Sequence, residues 1–141
     1  MKLMNKNNKI WAGRVLIGMV LFINIQSAFA FFLDPGKYAP WYELNGAVGI
    51  ATIMGFGVLF LMWNVPYGVA LFHPQKYRVS LYEAIAMQTI GFIGESIILW
   101  TLPPEHVILS RSILRFIIFD GCGLIALILA ATITRTKKLS N

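Results

Sequence analysis

Glu95 and Asp120 are carboxylates placed deep inside stretches otherwise apolar enough to cross a membrane. A carboxylate in hydrocarbon is costly, so it faces a partner, a cavity or a ligand rather than lipid. Three chemistries suit such a pair: a polar clasp between helices, a pocket for an ion or a polar headgroup, and a proton-exchanging site. Ala84, Gln88, Gly91 and Glu95 follow one another at spacings of four, three and four, which sets them on one helix face. Ile90, Phe92, Ile97 and Ile98 fall at other angles, so the small and polar face is expected to point inward.

Depth brings the carboxylates together. Glu95 lies seven residues before Leu102, about 10 Å below that end of its helix. Asp120 lies eight residues after Ser112, about 12 Å below the same side, on a helix running the other way. Arg115 lies between them and the outer surface. Arg115 and Asp120 are five residues apart, roughly 140° around a helix, and make poor partners for each other. Arg115 is therefore expected to reach Glu95, and Asp120 to face Gln88, Asn24 or Gln26. Glu95, Asp120, Arg115 and Gln88 make up the candidate intramembrane polar site. As a clasp, such a contact contributes about 1 kcal/mol.

The elements that must carry these residues follow from composition. Of 141 residues, 57% are hydrophobic and 13% charged, about half the charged share of a soluble domain. A soluble chain this short cannot hide so much apolar surface, so the membrane is expected to be its solvent. Four apolar stretches run from about Ile10 to Leu33, Asn45 to Val65, Ser80 to Leu102 and Ser112 to Thr134. Each has roughly the 20 residues needed to span a ~30 Å hydrocarbon core. The expected fold is all-α: an integral membrane four-helix bundle forming a single transmembrane domain over the whole chain. No alternating pattern suggests a β-barrel.

The breaks have their own chemistry. Asp34-Pro35-Gly36 ends the first helix, Asn64-Val65-Pro66 ends or kinks the second, and Pro103-Pro104 stops the third. Ser80 and Glu83 fit a capping box at the start of the third helix. Ala47, Ala51 and Gly55 recur every four residues on the second helix, a spacing that lets backbones approach closely, within the bundle or across a homodimer seam. Lysines, an apolar core and Ala28-Phe29-Ala30 give the first helix a signal-peptide appearance. Phe31, Phe32 and Leu33 extend it to spanning length, which favours an uncleaved helix.

Charge sets the expected orientation. Lys2, Lys6, Lys9 and Arg14 flank the first helix, Lys76 and Arg78 lie in the middle loop, and Arg135, Lys137 and Lys138 follow the fourth. The alternate side holds Lys37, Arg111 and Arg115. The positive-inside rule then puts both termini and the middle loop in the cytoplasm. Anionic membrane lipids, not nucleic acid, are the expected partners of the net charge of +6. Tyr38, Trp41, Tyr42 and Trp100 fit an interfacial aromatic belt on the outer side.

Several chemistries are set aside. Cys122 is the only cysteine, which excludes an internal disulfide or a dithiol relay. His73 and His106 fall near loops on opposite sides and cannot jointly hold a haem or metal. No cofactor or metal is called for, and no serine has a histidine beside it in a nucleophilic context.

The runs LFLMWNVPY (Leu59 to Tyr67), SLYEAIAMQTIGFIGES (Ser80 to Ser96) and RFIIFDG (Arg115 to Gly121) resemble an uncharacterised family of small bacterial four-helix membrane proteins. Their general shape is similar to DoxX-like proteins. The resemblance covers nearly the whole chain from Arg14 onward and implies the four-helix fold, but carries no catalytic motif. The expected function is that of a binding or accessory component of a bacterial inner membrane, with a small-molecule or lipid ligand, a protein partner or a second copy as partner. The alternatives are a small proton-coupled carrier using the same carboxylates, and a membrane enzyme acting on a lipid or quinone with Glu95 as general acid or base.

Overall fold

A computed structural model describes residues 5–135. Lys2, Lys137 and Lys138, which enter the charge argument, lie outside the described residues. The described chain is helical and contains no strand. Helices α1 (Lys6–Leu33), α2 (Pro35–Tyr38), α3 (Gly46–Trp63), α4 (Val65–Phe72), α5 (Arg78–Thr101) and α6 (Val107–Ile133) follow in order, with a 3₁₀ turn at Ala39–Tyr42 after α2. Four helices are long and apolar enough to span: α1, the α3–α4 rod, α5 and α6, at 28, 27, 24 and 27 residues. At 1.5 Å per residue the shortest is about 36 Å long, more than a ~30 Å core requires.

Asp34 and Pro35 divide α1 from α2 as the sequence implied. The Asp34 N–H still bonds the Ala30 carbonyl at 3.1 Å, and Pro35, which has no N–H to satisfy, opens the next helix. Asn64-Val65-Pro66 kinks the second span and does not end it. The rod breaks at Asn64 and continues to Phe72, with the Asn64 Nδ2 donating to the Phe60 carbonyl at 2.6 Å across the break.

Three local expectations are corrected. The capping box of Ser80 and Glu83 does not form: α5 begins at Arg78, its N-cap is Tyr77, and no side chain caps it. The Leu81 N–H already bonds the Tyr77 carbonyl at 3.2 Å, so Ser80 sits within a running helical ladder. Arg78 fixes that start by reaching across to the C-terminal end of α6 on the same side of the bundle, with Nη1 donating to the Ala131 carbonyl at 2.9 Å and to Thr134 Oγ1 at 3.1 Å. The fourth span starts at Val107, before Ser112, because another segment supplies its cap. Glu43 Oε1 accepts the Leu109 N–H at 3.2 Å. The stripe Ala47, Ala51 and Gly55 is exposed, and Gly49, Ile53 and Gly57 are buried instead. A Cβ on Gly57 would lie 2.8 Å from the Ala28 carbonyl oxygen, so α3 meets α1 backbone to backbone there.

The core forms two clusters. Ile17, Tyr67, Ala70, Leu81, Ala84 and Leu127 are fully buried in one, toward the end that carries both described termini. Phe31, Ala39 and Ile53 anchor the other, where Phe60, Phe116, Tyr38 and Tyr42 pack as an aromatic group. Tyr42 therefore turns inward, with ring centroids 5.9 Å from Phe31 and Phe56, and is not part of an exposed belt. Trp100 is 87% exposed and Trp41 40%. Exposed large apolar side chains occupy every spanning helix, as expected of surfaces that meet lipid.

Candidate functional site

A polar cavity of about 90 Å³ lies between the two clusters, sharing Tyr67 with one and Phe60 and Phe116 with the other. Gln88, Gly91 and Glu95 line it from α5 and Asp120 from α6, so the inward face read from the spacing is the face that meets the cavity. Gln88 is 3% exposed and is the centre of a hydrogen-bonded chain. Its Nε2 donates to Asp120 Oδ1 at 2.7 Å, and its Oε1 accepts from the Tyr67 hydroxyl at 2.5 Å. The same hydroxyl lies 3.2 Å from the Ala84 carbonyl, and its one proton serves one acceptor at a time.

Two glycines make room for this chain. A Cβ on Gly91 would overlap the Asp120 carboxylate, and one on Gly123 would stand 2.7 Å from Gln88 Nε2. Of the partners open to Asp120, the structure selects Gln88. Glu95 and Asp120 share the cavity, but Glu95 Oε2 and Asn64 Oδ1 are buried with no hydrogen-bond partner among the described residues. Both are acceptors. The cavity therefore presents oxygen atoms that lack donors, in space sufficient for a few waters or one small ammonium-like group.

Arg115 does not reach Glu95. Its guanidinium lies over the Trp41 indole, 4.8 Å from the ring centroid, in the turn that follows α2. The cause is the position of α6 between neighbours: it packs on α5 through one face and on α1 through another. The ~140° between Arg115 and Asp120 sends them to opposite faces. Arg115 lines a separate cleft of about 270 Å³ between α1 and α6, next to the polar cavity, with Asn24, Phe60, Phe116 and Phe119 as common walls.

Tyr67 and Asn64 are cavity residues that the motif search passed over. Their spacing of three, beside Pro66, sets both on one helix face and is the signal that could have found them. Outside the spans, Glu43 and His106 form an ion pair, with His106 Nδ1 2.5 Å from Glu43 Oε2. That hydrogen bond holds the Glu43 carboxyl below its usual range and the His106 imidazole above its own. It is the one ion pair among the described residues, and no group of three or more metal-ligating side chains occurs among them. Comparison with protein-family models, with curated proteins and with solved structures gave no match to this chain.

Proposed function

We propose that this chain is a four-span protein of a bacterial cytoplasmic membrane, both termini inside, acting as a binding or accessory component whose cavity takes up a small cationic or hydrogen-bond-donating group. The positive charge of α1's start and of the loop at Lys76 and Arg78 supports the orientation. The DoxX-like resemblance belongs to the same proposal. The observation that carries the binding reading is the pair of buried acceptors without donors, Glu95 Oε2 and Asn64 Oδ1, beside a second carboxylate. Buried polar atoms are satisfied almost everywhere in native proteins, so these two oxygens call for a donor from water or a ligand.

Native mass spectrometry on protein extracted with its lipids, comparing wild type with Glu95→Gln, tests it. The expected result is a small ammonium-bearing molecule or cation retained by wild type and lost from the variant. Bare protein in both, with the variant less stable, would instead make the site an interhelical clasp. The second reading, a proton-coupled carrier, draws on the chain from Asp120 through Gln88 to Tyr67. It requires proton flux in liposomes that Glu95→Gln abolishes while the helical content stays unchanged.

A further inference from the structure

The cleft between α1 and α6 has a polar side whose groups make no hydrogen bond or ion pair among the described residues, Arg115 meeting only the Trp41 ring. Asn24, Gln26 and Ser27 line it from α1 and Arg115 from α6. None of the three α1 side chains makes a hydrogen bond among the described residues, and Arg115 makes no ion pair there. Gln26 lies seven residues before the end of α1, about 10 Å in, and Arg115 eight residues after the start of α6, about 12 Å in. Those ends are on the same side of the bundle, so the two side chains flank the cleft at one depth. Polar groups at that depth find no water in lipid and need a partner.

We propose that this cleft holds the oxyanion head of a membrane amphiphile, with its apolar body against the aromatic walls. An acceptor head is what the cleft suits: the guanidinium can only donate, the two amides and the hydroxyl can turn donors the same way, and no carboxylate lines the cleft to oppose an anion. An apolar body suits the rest of the lining, in which Ile23, Phe31, Phe60, Phe116 and Phe119 predominate. Trp41 and Tyr38, residue types that settle at headgroup level, border the outer end of the cleft, from which a lipid phosphate or a fatty-acid carboxylate can reach down to Arg115. Gln26 and Arg115 are exposed, so the mouth opens on the flank of the bundle, where an amphiphile can enter sideways from the bilayer. The ligand chemistry is opposite to that of the adjoining acceptor-rich cavity, with which the cleft shares Asn24, Phe60, Phe116 and Phe119 as walls.

The inference rests on the helices spanning a membrane, which insertion into lipid discs checks separately. The full chain is inserted into phosphatidylcholine discs containing either phosphatidylglycerol or oleate, released, and examined by native mass spectrometry. Wild type is expected to retain the anionic amphiphile about tenfold more than Arg115→Gln, the size of a lost charge-assisted hydrogen bond. Gln26→Leu should also lower retention, and Arg111→Gln, one turn outward on α6, should leave it unchanged. Retention of phosphatidylglycerol identifies a phospholipid as the source, and retention of oleate a free acid. Equal retention by wild type and folded Arg115→Gln, equal loss in Arg111→Gln, or retention of neither amphiphile and no phosphatidylcholine would overturn the proposal. If Arg115→Gln does not fold, Gln26→Leu decides: retention equal to wild type overturns it.

Discussion

The Tyr67 hydroxyl is fully buried, and its one proton links the chain from Asp120 through Gln88 to the kinked second span. Without it, Gln88 Oε1 loses its one side-chain donor among the described residues while Nε2 stays committed to Asp120. Tyr67→Phe should therefore destabilise the bundle by about 1–2 kcal/mol, between a typical intramembrane hydrogen bond and a stranded buried acceptor. Unfolding in mixed micelles with increasing denaturing detergent measures the loss. A variant as stable as wild type would mean that Gln88 finds another donor and that Tyr67 contributes only its ring. Glu95 differs from Gln88 in kind, because its Oε2 has no donor among the described residues to lose. Stability should thus respond more to Tyr67 and binding more to Glu95.

Among the helices, α1 and α3 meet through a missing side chain. Gly57→Ala must push its methyl toward the Ala28 carbonyl and the Phe32 backbone nitrogen, 2.8 and 3.0 Å away, neither of which is a side chain that can swing aside. A loss of about 1–3 kcal/mol is expected from such overpacking. Gly55→Ala, two residues earlier, meets nothing within 4 Å and should be neutral or slightly stabilising through helix propensity. The same unfolding measurement compares them, and equal effects would show that α3 does not approach α1 as described.

The segment from α2 to α3 is tied to the start of α6 by Glu43, by His106 and by the Ser112 hydroxyl, which donates to the Trp41 carbonyl at 2.7 Å. Glu43 takes a left-handed backbone conformation, φ 56°, to make its contacts. Its lowered pKa gives stability that is complete above the ordinary value of 4.5 and lost as pH falls through the folded value. The raised His106 pKa gives stability complete below 6.5 and lost as pH rises through the folded value. The tie is thus strongest between those two values. Thermal unfolding followed against pH should show a maximum there that His106→Gln flattens, and a variant profile identical to wild type would remove the pair from the account.

For the whole molecule, four long helices with apolar surfaces define the architecture, and cysteine accessibility reads the proposed orientation. Cys122 is the single cysteine, so a Cys122→Ala background leaves the chain free of thiols. In intact cells, a membrane-impermeant maleimide should label Lys37→Cys and spare Lys76→Cys. Labelling of Lys76→Cys alone would invert the proposed topology. Detection of the chain's own N-terminal segment in the mature protein bears on α1 in the same way. Ile17, Val20 and Ala28 are buried in or beside the bundle core, so a form beginning after Ala30 would lack packing that the fold uses.

The number of spans, the Asp34-Pro35 break and the inward face of α5 were legible in the sequence, which also offered Gln88 as one of three partners for Asp120, because hydropathy, proline chemistry and helical spacing act locally. The direction of Arg115, the buried stripe of α3 and the start of α6 were decided by tertiary structure. A membrane helix is apolar on every side, so its sequence does not mark which side a neighbour covers. Ala47, Ala51 and Gly55 have the spacing of a packed seam, yet the face two residues along is the one that meets α1. Arg115 stacks on Trp41, and Glu43 caps α6 from 66 residues away, contacts that exist only once the chain has brought distant segments together.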